Sequence, residues 1–208
     1  MGESWGSRAF CAVVLFLARA ILSCVFPRKV QGREYLHTES AKIIVGNHLS
    51  GYDPILLGME LWPTKLYIMG KAELFRNKIG AWMLYALGAF PVGRGKADVA
   101  SMRNAIRCLD GNAALVIFPE GTRNKKNPEV FLPFLSGAAF VALRAKKPVV
   151  PVYFANLKGY RFFRRVEFRA GPPIFMDDLY AQPKITDEHM KEFMERVKDA
   201  ILKLKENN

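Results

Sequence analysis

The feature that most constrains this chain is an alternation. Short apolar runs of strand character recur between stretches with apolar residues at helical spacing. The strand-like runs are "KIIVG" (42–46), "KLYIMG" (65–70), "AFPV" (89–92), "AALVIF" (113–118), "PVVPVYF" (148–154) and "RRVEFRAG" (164–171). Helices are predicted at 54–61, 78–88, 97–111, 136–147 and 186–206. In 97–111, Val99, Met102, Ile106 and Leu109 fall on one face, and Gly88 and Gly111 stand as C-terminal stops. In the last helix, Thr186 is placed to cap, and Met190, Phe193, Val197, Ile201 and Leu204 form one stripe. The alternation predicts an α/β fold with a single mixed, largely parallel sheet flanked by helices. There is no repeat, low-complexity tract or long linker, so residues 29–208 read as one domain. With 208 residues, half of them hydrophobic, the chain can build a real core.

Residues 9–26, "AFCAVVLFLARAILSCVF", are almost all apolar, with Arg19 and Ser23 as the polar breaks. The run is just long enough to span a bilayer. A mid-run arginine is costly there, whereas in an interfacial helix it can snorkel. Trp5, Arg8, Arg28 and Lys29 flank the run like interfacial anchors. Residues 1–28 are therefore expected to be a membrane-associated helix that spans or lies on the bilayer.

Formal net charge is +12, from 31 Lys+Arg against 19 Asp+Glu, which suits an anionic partner. The basic residues are not interleaved with aromatics in a nucleic-acid module, so no nucleic-acid partner is expected. Cys11, Cys24 and Cys108 form no CxxC pair and there is no Cys/His cluster, so no metal is expected. There is no G-x-S-x-G elbow and no P-loop. The chemistry is better served by a base acting on a substrate hydroxyl than by a protein nucleophile.

Candidate chemistry collects at predicted strand ends. "GNHLSGYDP" puts His48 after a strand and Asp53 at a helix start. Imidazole can take a proton from an alcohol, and a carboxylate on its other nitrogen would fix the tautomer. Ser50-Gly51 supplies a turn that could bring the two together. The same residues also fit a capped helix start, with Ser50-x-x-Asp53 as a capping box and Asp53-Pro54 as N-cap and first position. "FPEGTRN" (118–124) ends another strand with Glu120 and Arg123, whose guanidinium suits phosphate, or alternatively an exposed Arg–Glu pair. "GAFPVGRG" (88–95) ends a third with Arg94, beside Lys96, and Lys71 follows a fourth. In a parallel sheet these ends gather at one rim, giving a base beside an anion cradle.

"NHLSGYD" and "FPEGTR", in this order and about seventy residues apart, resemble the NHx4D and EGTR blocks of PlsC-type glycerophospholipid acyltransferases. "GAFPVGR" resembles their intermediate arginine block, and "PVVPV" (148–152), with Pro151, their fourth. The resemblance covers nearly all of residues 30–155. It implies acyl transfer from acyl-CoA or acyl-carrier protein, as co-substrate, to the sn-2 hydroxyl of 1-acylglycerol 3-phosphate (lysophosphatidic acid). The product would be phosphatidic acid, made at the cytoplasmic face of the cell membrane on the phospholipid surface.

By the same resemblance His48 is the general base and Asp53 its partner. Arg94, Glu120, Gly121, Thr122 and Arg123 bind the acceptor, and no cofactor is required. Backbone N–H groups at the helix start are expected to stabilise the oxyanion, and the 78–88 helix to line an acyl tunnel. Many relatives carry a lysine before the later Gly-Ala-Ala. Here Leu135 and Ser136 stand there, so a phosphate ligand is missing or Lys125 or Lys126 replaces it. Asn124 stands where Ser or Thr is common. The alternatives are another lysophospholipid or lyso-aminolipid as acceptor, or a non-catalytic lipid-binding protein on the same scaffold.

Overall fold

The computed structural model describes residues 20–93, 99–124, 126–155 and 162–206. Seven strands form one sheet in the order β1-β7-β6-β2-β5-β3-β4. They are β1 (Arg28–Gln31), β2 (Lys42–Gly46), β3 (Lys65–Lys71), β4 (Ala89–Val92), β5 (Ala113–Ile117), β6 (Val149–Phe154) and β7 (Val166–Ala170). Strands β6, β2, β5, β3 and β4 pair in parallel. β7 is antiparallel to β6, and β1 pairs in parallel with β7. The sheet is thus mixed and largely parallel, as the alternation predicts.

The helices are α1 (Arg33–Leu36), α2 (Asp53–Leu61), α3 (Lys78–Ala86), α4 (Val99–Cys108), α5 (Gly137–Ala145), α6 (Asp177–Tyr180) and α7 (Asp187–Glu206). Strand pleating sorts alternate residues to the two sheet faces. Ile43, Val45, Leu115 and Ile117 face one core, where α4, α5, α6 and α7 pack. Ile44, Ala114 and Val116 face the other, under α2, α1 and residues 20–26. The central strands β2, β5 and β6 are buried on both faces, so they read as continuous apolar runs. In α7, Phe193, Val197 and Ile201 are fully buried. Each stabilises the fold by roughly 1.5–3 kcal/mol. Thr186 does cap α7: its hydroxyl accepts from His189 N–H at 3.2 Å.

The N-terminal expectation needs correction in one part. Residues 9–19, with Trp5, Arg8 and Arg19, lie outside the described residues, and residues 20–25 are helical. Among the described residues no helix is long and apolar enough to cross a membrane. Arg28 is not an interfacial anchor. It begins β1 and points inward, its guanidinium 3.6 Å from the buried Glu60 carboxylate and 3.4 Å from Ser23 Oγ. Arg33 also pairs with Glu60. Lys29, on the opposite side of the pleat, is half exposed and lies 3.6 Å from Glu167.

Candidate active site

Parallel pairing brings the carboxyl ends of β2, β5, β6, β3 and β4 to one rim, where sites of open α/β sheets form. At the end of β2, Gly46 is held against β6. A Cβ there would sit 2.8 Å from the Val152 carbonyl oxygen, so a side chain is excluded. Asn47 then turns inward. Its Oδ1 accepts from Phe154 N–H at 2.7 Å and its Nδ2 donates to Phe154 C=O at 3.1 Å. This buried amide replaces the ladder where the strands part, and it fixes where the next residue stands.

That residue is His48. Its Nδ1 is 2.8 Å from Asp53 Oδ2, and Asp53 is fully buried. The same oxygen accepts from Leu49 N–H at 2.8 Å and Ser50 N–H at 2.9 Å. The Ser50–Gly51 turn therefore does fold the carboxylate back onto the ring. Pairing with the ring and bonding of the turn's backbone coexist here. The return half of the capping box forms, from Asp53 to Ser50 N–H, while Ser50 Oγ instead accepts from Tyr52 N–H at 3.3 Å. Asp53 is itself the first residue of α2 rather than its N-cap; Tyr52 takes that place. The imidazole stacks on Phe118, with centroids 4.2 Å apart and planes 17° off parallel. With Nδ1 committed to Asp53, Nε2 is the nitrogen left for proton transfer.

The second motif does not sit beside the first; it is bonded to it. Glu120 Oε1 accepts from His48 N–H at 2.9 Å, and its Oε2 accepts from Leu132 N–H at 3.0 Å. Asn124 N–H donates to His48 C=O at 2.8 Å. Both backbone polar groups of His48 are thus held by residues 120–124. Glu120 is buried, and burial pushes its carboxyl above the usual carboxylate range, against the two amide hydrogen bonds and the neighbouring His48. The alternative of an exposed Arg–Glu pair gives way to these amide bonds, because Glu120 turns inward and Arg123 outward to solvent. Gly121 makes the turn with φ +63°, a conformation that disfavours any side chain. Thr122 and Arg123 are exposed. The Arg123 Nη1 lies 3.8 Å from where a Gly51 side chain would begin, so the guanidinium lies over the His48–Asp53 turn.

Asn124 has a structural duty. Its Nδ2 donates to the carbonyls of Asn127 (2.9 Å) and Val130 (2.6 Å). Its identity therefore follows from loop geometry rather than from a ligand. Lys71 lies at the rim and pairs with Glu73 at 3.1 Å. Arg94, Lys96 and Lys125 lie outside the described residues, and Lys126 is exposed. Pro151 is buried in β6. Of the N–H groups before the helix start, those of Leu49 and Ser50 are spent on Asp53. Ile79 and Trp82 of α3 are exposed, whereas an open cleft of about 700 Å³ is lined by residues 131–136 and by α7, including Met190 and Met194. Among the described residues no group of three or more His, Cys, Asp or Glu could hold a metal ion.

Asn47, Phe118 and the Leu132 amide were not singled out as site residues by sequence reasoning. Asn47 carried a signal, a polar residue between an apolar strand and a histidine. Phe118 and Leu132 carried none, because apolar residues beside a strand read as core.

Comparison with known proteins places the chain in a family. Residues 27–155 match the family described as Acyltransferase. The chain is 32% identical over 177 residues to the 1-acyl-sn-glycerol-3-phosphate acyltransferase of Bacillus subtilis, covering 84% of this chain and 85% of that protein. It is 29% identical over 168 residues to the enzyme of the same name from Streptococcus pneumoniae, covering 79% of this chain but only 60% of that protein. The crystal structure of PlsC from Thermotoga maritima, a 1-acyl-sn-glycerophosphate acyltransferase, superposes with a TM-score of 0.59 at 26% identity, over 86% of this chain and 72% of that one. A matching profile over more than half of the chain, a close relative along most of its length, and a shared fold together mean that this chain belongs to the PlsC-type acyltransferase family.

Proposed function

We propose that this protein transfers a fatty acyl group from a thioester donor, acyl-CoA or acyl-carrier protein, to the sn-2 hydroxyl of 1-acylglycerol 3-phosphate. The product is phosphatidic acid. The observation that carries the reading is the 2.8 Å contact of His48 Nδ1 with a buried carboxylate that two backbone N–H groups also hold. Such a carboxylate fixes the tautomer with Nε2 unprotonated and stabilises the imidazolium that forms. The names of the relatives support the acceptor assignment.

In this mechanism Nε2 removes the proton from the acceptor hydroxyl. The oxygen attacks the thioester carbonyl, an ester C–O bond forms and the C–S bond breaks. The thiolate leaves and takes up the proton held on His48. General base assistance is worth roughly 10²–10⁴-fold. Arg123, over the same turn, is the candidate for the acceptor phosphate, with Arg94 as its expected companion. Glu120 acts through His48: its carboxylate holds the histidine backbone rather than the ligand. The cleft that Leu132 lines is the candidate for the donor chain, because Leu132 shares Glu120 with His48.

The test is a thiol-release assay with acyl-CoA and acyl-carrier protein donors against 1-acylglycerol 3-phosphate and its dephosphorylated counterpart. Release that depends on the phosphorylated acceptor is expected. Equal release with both acceptors would move the assignment to another lysolipid, and no release with any acceptor would leave a lipid-binding protein.

A further inference from the structure

Three aromatic side chains on the α2 side of the sheet form a file that ends on His48. Phe168 and Phe154 are fully buried, with ring centroids 5.3 Å apart and planes 41° off parallel. Phe154 lies 6.4 Å from Phe118, at 42°. Both contacts are tilted, as aromatic pairs in a core prefer. Phe118 is only partly buried, and its own contact with the imidazole is different in kind. At 4.2 Å and 17° it is a near-parallel stack. The topology dictates this placement. β2 and β5 run in parallel with Val45 opposite Ile117, so the residues just past both strand ends stand side by side.

The Asp53 contact leaves one freedom in the imidazole. It settles which nitrogen is bonded, through Nδ1 at 2.8 Å. It does not settle the tilt of the ring, because the torsion about the Cβ–Cγ bond has broad wells. A reacting group must be held within about 10–20° of its productive direction. Phe118 supplies that restraint: a flat wall against one face of the ring narrows the well. The wall itself is fixed from behind by Phe154, whose N–H and C=O Asn47 binds at 2.7 and 3.1 Å. His48 is therefore referred to Phe154 twice, through the residue before it and through the face of its ring. The stack also has an electrostatic side. When Nε2 takes up a proton the ring becomes a cation, and the electron-rich face of an aromatic ring attracts a cation. The charged groups about His48 are Asp53 on Nδ1, Glu120 on its backbone N–H and Arg123 over the turn. Phe118 carries no charge, so a change at 118 leaves those three in place. An aliphatic side chain of similar volume would fill the same space and give neither the flat wall nor the π face.

We infer that Phe118 is a positioning residue for the acyl transfer: it holds the plane of the imidazole, and so the direction of Nε2, and it favours the imidazolium that forms there. The inference rests on the acyl-transfer reading, but part of its test needs no turnover. The full chain carries three histidines, His37, His48 and His189, so the ring protons of His48 are identified in an NMR spectrum by their loss in His48→Gln. In the wild-type protein they are expected upfield, shielded by the Phe118 face, and in Phe118→Leu they should return to ordinary positions. Thiol release by Phe118→Leu should show kcat lower by roughly tenfold, with KM for donor and acceptor nearly kept. Phe118→Tyr brings back the aromatic face and should restore both the upfield shift and most of kcat. Wild-type ring protons that are not displaced upfield would overturn the inference. So would wild-type kcat in Phe118→Leu. A loss of kcat that Phe118→Tyr does not restore, and that follows the urea unfolding midpoint across both variants, would overturn it too and leave Phe118 as core packing. Displaced ring protons in a wild-type protein that releases no thiol with any acceptor would instead count against the acyl-transfer reading alone.

Discussion

The turn at 47–53 and the loop at 121–123 stand next to each other and are built in opposite ways. In the turn, the Asp53 and Asn47 side chains are locked by backbone. Asp53 holds two amides and the ring, and Asn47 holds both polar groups of Phe154. In the loop, Thr122 and Arg123 are exposed, and Arg123 reaches over the turn from outside. A proton transfer needs a fixed distance and tautomer, whereas a phosphate can be met by a long cation that adapts. The loop's inward residues, Glu120 and Asn124, belong with the turn in this respect. They spend their polar atoms on His48 and on the loop's own backbone.

The contrast can be broken from either side. Asp53→Asn should have the largest effect. It removes the charge that stabilises the imidazolium and puts an amide where three donors converge, so kcat should fall by up to about 10⁴-fold. A fall confined to KM would mean that Asp53 only caps the helix. Asn47→Ala comes next and should act on folding. It strands the N–H and C=O of Phe154 and should cost about 1–3 kcal/mol in urea unfolding; an unchanged midpoint would show that water replaces the clamp. Arg123→Ala should raise the acceptor KM, roughly tenfold, with kcat nearly kept. It should also erase much of the preference for a phosphorylated acceptor, and a loss in kcat alone would place Arg123 with the rigid turn.

The smallest effect concerns Glu120. Burial raises its carboxyl in the folded state, so between the unfolded value and that raised value the folded protein binds more protons. Stability then falls as pH rises through that interval. Glu120→Gln should flatten this dependence, which chemical denaturation across the acidic range would detect.

The sequence carried the parallel rim well, because β2, β5 and β6 are buried on both faces and their apolar runs are unambiguous. It carried the pairing of His48 with Asp53 only as one of two readings. Local spacing could not tell a carboxylate that caps from one that orients a ring, and here the same oxygen does both. The bonding of residues 120–124 to the His48 backbone was not legible at all. It depends on β2 and β5 being neighbours, which no local pattern encodes. The edge strand β1 was missed for a related reason. Its four residues, RKVQ, follow an apolar run and carry charge, so they read as a membrane flank until β7 supplies a partner.

The central claim is that His48 is the base and that its neighbours exist to hold it. Thiol release by His48→Ala, with saturating acyl donor and 1-acylglycerol 3-phosphate in lipid, tests it most directly. The account predicts a loss of roughly 10²–10⁴-fold in kcat in a variant that still unfolds cooperatively. Wild-type turnover by that variant would contradict it.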